Sequence, residues 1–193
     1  GHRGFDVSVN PFISTQEASR RRDFTINALM KNALTGEIID HWEGIEDLKR
    51  GVIRHIDDKS FVEDPLRAFR CAQFASRFNF EIDKDTLRLC GEMDVETLPI
   101  ERIFEETSKA LLKSSKPSVY FEELKNMGII SDKSDKSFSQ LFALTKTNQS
   151  KKHHPEGNVW NHTMLVIDEA SKLKSQATDP LAFMLSALLH DVG

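Results

Sequence analysis

Three consecutive arginines beside an aspartate form the first group of residues that could do chemistry. Arg20, Arg21 and Arg22 directly precede Asp23. Guanidinium groups match the oxygens of phosphates, and a carboxylate can accept hydrogen bonds from ribose hydroxyls. The cluster therefore suits a polyanionic ligand. The alternative interpretation is a solvated basic turn in which Asp23 serves as the local counter-ion.

A second group combines one carboxylate and two guanidiniums on a predicted helix. Asp64, Arg67 and Arg70 follow one another at three-residue steps, so their side chains share one face. A carboxylate beside a guanidinium offers acceptors and donors together, as the edge of a nucleobase does. The pair Asp64 and Arg67 could therefore read a base. The alternative is a surface ion pair worth only about 0.3–0.5 kcal/mol.

A third group has the composition of a metal site. His162 lies near the start of one predicted helix, and His190 and Asp191 close another. If the two helices pack together, these side chains could hold a divalent metal that activates water for phosphoester hydrolysis. The alternative for His162 is a purely structural role near a helix start.

The first part of the chain must position the arginine cluster, and its pattern predicts mixed α and β structure. Apolar residues alternate over 5–9, which favours a strand, and Ser14 with Glu17 has capping-box spacing. Residues 24–30 and 37–42 are β-prone and predict a hairpin, with another extended piece at 52–56.

The rest of the chain predicts helices that position the second and third groups. Ser60 and Glu63 form another capping-box pattern, and Pro65 suits a first helical turn. Residues 131–152 are polar and indicate a linker around one short helix. Further helices are predicted at 83–92, 99–113, 117–127, 137–146, 158–174 and 179–191.

The overall composition sets limits on function. The chain has 193 residues, 26 basic against 30 acidic, and a formal charge of −4, so any nucleic-acid site must be local. No run of about 18 apolar residues occurs, which excludes a membrane-spanning helix. Cys71 and Cys90 form no disulfide framework, so we expect a reducing, cytoplasmic location. Neither Gly1 nor Gly193 resembles a natural terminus, and we expect a piece of a longer protein.

Several motifs follow one another along the first part of the chain. They are Gly1-His-x-Gly-Phe-Asp, Arg21-Arg-Asp-Phe-Thr-Ile-Asn, Asp40-x-x-x-Gly-x-x-Asp-Leu, Glu63-Asp-Pro-Leu-Arg-x-x-Arg and Ile100-Glu-Arg-Ile-Phe-Glu. In this order they resemble the motifs of the bacterial class II tRNA nucleotidyltransferases, the CCA-adding enzymes and their poly(A) polymerase relatives. The segment from His153 to Asp191 is similar to the start of an HD phosphohydrolase domain, which the multifunctional bacterial members carry.

The resemblance implies a mainly α chain made of parts of three units. These are a small α/β remnant of a polymerase-β-like nucleotidyltransferase head, a helical neck and body, and the start of an all-α HD domain. The corresponding ranges are 1–58 for the head, 59–130 for the neck and body, 131–152 for a linker with one helix, and 153–193 for the HD part.

The resemblance also implies roles for the candidate residues. Arg22 and Asp23 would contact the phosphate and ribose of the incoming nucleotide, while Asp64 and Arg67 would select CTP or ATP and Arg70 would lie near the nucleotide. In the third group, His162, His190 and Asp191 would be metal ligands of an incomplete HD site, because the family's last aspartate ligand lies further downstream. A divalent transition metal is possible there, and we expect this chain to bind it weakly or not at all.

The implied function is addition of CMP and AMP to the 3′ end of tRNA from CTP and ATP. A poly(A) polymerase of the same family, an HD-type metal-dependent phosphohydrolase and a non-catalytic RNA-binding module are the alternatives. The family's head binds two Mg²⁺ ions through an Asp-x-Asp pair that this chain lacks, since Asp83-Lys-Asp85 is expected to cap a helix. We therefore expect no catalytic residue in this chain, no activity from it alone and no membrane partner.

Overall fold

The computed structural model describes residues 12–132, 136–147 and 157–192, and this part of the chain is mainly helical, as expected. The helices are α1 (Thr15–Arg20), α2 (Gly44–Arg50), α3 (Asp58–Val62), α4 (Leu66–Phe78), α5 (Lys84–Glu92), α6 (Ile100–Lys113), α7 (Ser118–Asn126), α8 (Lys136–Lys146), α9 (Val159–Leu173) and α10 (Pro180–Leu189). The strands are β1 (Met30–Lys31), β2 (Ile38–Ile39), β3 (Val52–Ile53) and β4 (Glu81–Ile82). None of the described helices is long and apolar enough to cross a bilayer.

The small β part consists of two pairs of very short strands. β1 and β2 form the predicted antiparallel hairpin, with Met30 opposite Ile39. β3 pairs in parallel with β4, a strand that the sequence pattern did not predict because it holds only two residues. The predicted strand at 24–30 is mostly wrong, since Thr25–Asn27 forms a 3₁₀ turn. The alternating segment 5–9 lies outside the described residues.

Three helix starts, those of α1, α5 and α10, show side-chain capping of the expected kind. The hydroxyl of Ser14 accepts from the amide of Glu17, the carboxylate of Asp83 accepts from two amides of α5, and Asp179 precedes Pro180 at the start of α10. The cap predicted at Ser60 is wrong. Asp57 caps α3 instead, because its carboxylate accepts from the Ser60 amide 3.0 Å away and starts the helix earlier.

Helix α4 lies at the centre of the buried core. It packs against α6 and α7, while α10 packs on both α6 and α9, and α8 packs on α9. The buried apolar residues of the described chain form one continuous cluster that extends from Phe24 to Leu188. The core therefore does not end at the polar stretch around 131–152.

The segment 40–47 connects the hairpin to the core through fixed polar contacts. The carboxylate of Asp40 accepts hydrogen bonds from the amides of Gly44 and Ile45, each at 2.9 Å. Partial burial favours a raised pKa for this carboxyl, but the amide donors outweigh it and hold the pKa below its usual range. One turn later, buried Asp47 accepts from the Thr25 hydroxyl at 2.7 Å and from the Arg54 guanidinium at 2.9 Å.

We expect Gly44→Ala to destabilise the fold by about 1–3 kcal/mol, because overpacking forces the backbone to move. A Cβ at Gly44 would lie 2.4 Å from the carbonyl oxygen of Thr25, which is held in the 3₁₀ turn. Urea denaturation followed by circular dichroism measures the change in the free energy of unfolding. Lys49→Ala on the same helix is the control, since Lys49 is exposed and its effect should stay within about 0.5 kcal/mol. Equal stability of the Gly44→Ala and wild-type chains would contradict the prediction.

Candidate functional site

Residues from three segments that are distant in sequence line one open cavity of ≈ 320 Å³. All five side chains predicted to bind a nucleotide contribute to its wall. The polar lining residues are Arg22, Asp23, Asp64, Arg67, Arg70 and Arg102. The cavity lies where the segment after α1, the start of α4 and the start of α6 meet.

Asp23 is held firmly at the base of this cavity. Its Oδ1 accepts from the amide of Phe24 at 2.9 Å and from the side-chain amide of Asn27 at 3.2 Å. Its Oδ2 accepts from Arg70 through Nε at 2.7 Å and through a terminal nitrogen at 2.6 Å. Only 9% of the Asp23 side chain is exposed, so its orientation is set before any ligand arrives.

Arg70 bridges two buried carboxylates rather than pointing freely into the cavity. Besides Asp23 on one side, it lies 3.8 Å from the carboxylate of Glu106 on α6, whose side chain is 3% exposed. Lys109 completes the neutralisation of Glu106 at 2.9 Å. The structure thus places Arg70 in the wall of the cavity, with its guanidinium already engaged by protein groups.

Asp64 and Arg67 both face the cavity, but they are not bonded to each other. Arg67 donates to two backbone carbonyls, that of Ser60 and that of Arg21, the latter at 2.9 Å. Asp64 instead accepts from Arg102, whose terminal nitrogen lies 3.1 and 3.3 Å from the two carboxylate oxygens. Each member of the pair is therefore oriented separately by another part of the chain.

Arg22 differs from the other guanidiniums of the cavity. It is exposed, and its side chain makes no hydrogen bond or ion pair with the residues that the structure describes. Arg67, Arg70 and Arg102 are all engaged. Arg22 is thus the guanidinium of this cavity with all its donors available for a phosphate.

Sequence reasoning gave no role to two residues that shape the cavity. Arg102 lies in the motif that starts at Ile100, but the motif predicts no contact for it, and Glu106 directly follows that motif. A spacing signal existed for both, because they lie four residues apart on one face of α6. Their partners Asp64 and Arg70 are more than 30 residues away in sequence, so the pairing itself was not visible.

The third group of residues does converge. The potential ligand atoms of His162, His190 and Asp191 all lie within 4.8 Å of one another, and no other such group of three occurs within 12–132, 136–147 and 157–192. Nδ1 of His190 lies 2.8 Å from the carbonyl oxygen of Ala187, which can only accept, so Nδ1 carries the hydrogen. Nε2 then faces the Asp191 carboxylate at 3.1 Å, an arrangement that suits a shared proton or cation.

Two family models match the chain. The model described as the poly(A) polymerase head domain matches residues 5–54, and the model described as a probable RNA- and SrmB-binding site of polymerase A matches residues 79–132. The two matched ranges contain Arg22 and Asp23 in the first and Arg102 and Glu106 in the second.

Curated relatives match the whole chain. The multifunctional CCA protein of Actinobacillus pleuropneumoniae serotype 5b is 38% identical over 200 residues, which is 47% of that protein. The multifunctional CCA protein of Nitrosospira multiformis is 39% identical over 197 residues, or 45% of its length. The chain thus spans a little under half the length of these relatives.

Solved structures of similar fold are also CCA-adding enzymes. The Thermotoga maritima enzyme complexed with tRNA has a TM-score of 0.64 and 26% identity, over 91% of this chain and 41% of that one. A CCA-adding enzyme with ATP has a TM-score of 0.62 and 25% identity, over 92% and 40%. A complex with CTP has a TM-score of 0.62 and 26% identity, over 92% and 41%.

We expect Arg70→Ala to lower the free energy of unfolding by about 2–4 kcal/mol. The substitution leaves the buried Asp23 without its counter-ion and removes one of the two counter-ions of Glu106. Arg70→Lys should cost less, since it keeps the charge but loses the fork that contacts Asp23 twice. Chemical denaturation measures both. Arg77→Ala, an exposed arginine stacked on Phe78 in the same helix, should cost at most about 1 kcal/mol. Equal losses for Arg70→Ala and Arg77→Ala would contradict the bridging role.

Proposed function

The chain belongs to the bacterial tRNA nucleotidyltransferase and poly(A) polymerase family, and from this membership we propose that it is part of a CCA-adding enzyme. That enzyme would add CMP and AMP to the 3′ end of tRNA, with CTP and ATP as substrates. The observation that carries the proposal is the cavity that gathers Arg22, Asp23, Asp64 and Arg67 from separate segments. Because the matched relatives are about twice as long, we propose that this chain supplies one part of the active enzyme.

The proposed division of the chain follows its sequence motifs. Residues 1–58 belong to the head, 59–130 form the neck and body, and 131–152 connect these to an HD unit at 153–193. In this arrangement α9 and α10 are the first helices of the HD unit, and they are packed on the body through α7 and α6. The buried thiols Cys71 and Cys90 and the tRNA substrate support a cytoplasmic location.

We assign the triphosphate contact to Arg22 and the ribose contact to Asp23. Arg22 makes no side-chain hydrogen bond or ion pair with the part of the chain that the structure describes, and electrostatic attraction to phosphate does not depend on the base. Asp23 is already fixed by Arg70, Asn27 and the Phe24 amide, so its carboxylate has a set orientation at the cavity, and a ribose hydroxyl would share one of its oxygens with these donors. The reaction is an in-line attack of the RNA 3′-hydroxyl on the α-phosphate, with pyrophosphate as the leaving group.

We assign base selection to Asp64 and Arg67. Cytosine and adenine each present an amino group beside a ring nitrogen that accepts, whereas uracil and guanine present a carbonyl beside an N–H group. An acceptor at Asp64 and a donor at Arg67 therefore fit the first two bases and oppose the other two. This pattern accounts for the acceptance of both CTP and ATP by one cavity.

Members of this family use divalent metals, and we propose Mg²⁺ for the nucleotidyl transfer. The residues described here do not fit a two-metal centre, because Asp23 and Asp64 are each engaged by a guanidinium and lie on different segments. Asp83 and Asp85 are also excluded, since Asp83 caps α5. We therefore place the metal ligands outside this chain and expect no nucleotide addition by the chain alone.

The test is an addition assay with the longer protein that contains this chain and a complete head. With a tRNA that lacks its terminal CCA, we expect two CMP additions followed by one AMP addition when CTP and ATP are supplied. Sequencing gels with radiolabelled tRNA read the products. Incorporation of ATP alone, in long tracts, would identify a poly(A) polymerase and overturn the CCA proposal. The chain of residues 1–193 by itself is the negative control.

A second activity is favoured by the convergence of His162, His190 and Asp191. We propose that these residues are metal ligands of a phosphohydrolase site. Two imidazoles and one carboxylate suit a divalent transition metal, which when bound would activate a water for phosphoester hydrolysis. The Ala187 carbonyl would fix the His190 ring so that Nε2 faces the ion.

In the longer protein we expect hydrolysis of a phosphomonoester that depends on added Mn²⁺, Co²⁺ or Ni²⁺. His190→Ala should abolish this hydrolysis while CMP and AMP addition persists, because the two sites use different residues. His41→Ala is the matched control, since His41 lies near Thr15 and away from the cluster. For the chain of residues 1–193, calorimetric titration with Co²⁺ should show weak binding at most. If His190→Ala hydrolyses the phosphomonoester as fast as the wild-type protein, His190 is not a metal ligand of a phosphohydrolase site.

A further inference from the structure

Arg102 is the polar residue lining the proposed nucleotide cavity to which neither the charge pattern nor the motif resemblance gave a task. It lies in the first turn of α6, and it contacts a residue of the α3–α4 connection that is 38 positions away in sequence. Its terminal nitrogen lies 3.1 Å from one carboxylate oxygen of Asp64 and 3.3 Å from the other. Both residues of this contact line the cavity.

Asp64 needs such a contact because little else fixes its carboxylate. The side chain is 37% exposed, and the other hydrogen bond it accepts among the described residues comes from the Leu66 amide at 3.2 Å. A carboxylate rotates about two single bonds, so an exposed one samples several orientations. By contrast Arg67 is held by two backbone carbonyls. The acceptor of the proposed base-reading pair is therefore the less constrained member.

The contact with Arg102 still leaves Asp64 able to accept from a base. One nitrogen of Arg102 is shared between the two oxygens, and a carboxylate has about four lone-pair directions. The oxygen 3.1 Å from Arg102 has no second partner among the described residues. Arg102 thus restricts the direction of the acceptor without occupying it.

From this geometry we propose that Arg102 is a positioning residue for base selection, acting through Asp64. It would fix the Asp64 carboxylate so that it accepts from the amino group of cytosine or adenine and opposes the carbonyl of uracil or guanine. This inference rests on the proposed nucleotidyltransferase function. It adds a residue from α6 to the selection that the motif resemblance assigned to Asp64 and Arg67 alone.

The proposal differs from two simpler roles of an arginine at this place. If Arg102 merely stabilised the fold, its loss would lower thermal stability and total activity without changing the choice of base. If it bound a phosphate directly, its loss would raise KM for every nucleotide equally. A positioning role instead lowers the preference for CTP over UTP, and it does so only while Asp64 is present.

The test is a double-mutant cycle in the longer protein that carries a complete head. The discrimination factor is kcat/KM for CTP divided by kcat/KM for UTP, measured on tRNA that lacks CCA. We expect Arg102→Ala and Asp64→Ala each to lower this factor at least about 5-fold, the effect of losing one base contact. The discrimination factor of the double variant should lie within about 2-fold of that of Asp64→Ala, because Arg102 acts through Asp64 and has no further effect once Asp64 is removed.

A conservative variant and a control variant distinguish an effect on the orientation of Asp64 from an effect on the stability of the fold. Arg102→Lys keeps the charge beside Asp64 and should recover most of the discrimination factor. Arg88→Ala removes an equally exposed arginine that pairs with Glu92 away from the cavity, and it should leave the factor unchanged. Thermal melts of all variants check the fold, and loss of an exposed ion pair should change stability by about 1 kcal/mol or less.

The outcomes distinguish this inference from the proposed function. If the wild-type protein adds neither CMP nor AMP, the proposed function fails first. If it discriminates against UTP and Arg102→Ala discriminates equally well, the positioning role fails and the function stands. Additive losses in the double variant, or an equal rise in KM for CTP and UTP, would also overturn the positioning role by showing that Arg102 acts independently of Asp64.

Discussion

The rest of the cavity depends on the placement of Arg70 between Asp23 and Glu106. A buried carboxylate without a counter-ion costs several kcal/mol. Lys109 supplies part of the neutralisation of Glu106, and the cation that contacts both carboxylates is Arg70. That cation belongs to α4, while Asp23 follows α1 and Glu106 belongs to α6. The electrostatic requirement of two carboxylates therefore fixes the approach of three segments, and the open cavity is the space that remains between them.

This constraint also divides the guanidiniums by task. Arg70 holds the walls of the cavity together, Arg67 is oriented by the carbonyls of Ser60 and Arg21, and Arg102 is engaged by Asp64. Arg22 makes no side-chain hydrogen bond or ion pair with the described residues, so its donors are available for a ligand. A count of basic residues would treat all four as phosphate contacts. The hydrogen-bond geometry shows that most of the positive charge first neutralises and orients the protein's own acceptors.

The sequence predicted the local structure well and the long-range pairing poorly. The reason is that spacing rules describe contacts between residues that are close together in the chain. Ser14 and Asp83 cap helices through contacts within three residues, so their spacing alone predicted the starts. At Ser60 the same logic gave the wrong cap, because Asp57 offers a carboxylate in the better position. β4 and the pairs Asp64–Arg102 and Arg70–Glu106 depend on packing of segments far apart in the chain, which no spacing rule encodes.

Helix α6 connects the cavity physically to the cluster of His162, His190 and Asp191. Its 14 residues extend about 21 Å. Near its start, Arg102 and Glu106 contact the walls of the cavity. At its other end, the Lys174 ammonium donates to the carbonyls of Leu111 and Ser114 at 3.0 and 2.6 Å, satisfying acceptors that a helix end leaves open. Helix α10, which ends beside His190, packs on the same helix. The helix that precedes His190 therefore packs directly on the helix whose first turns contribute Arg102 and Glu106, so the two groups of residues share α6 as a common support.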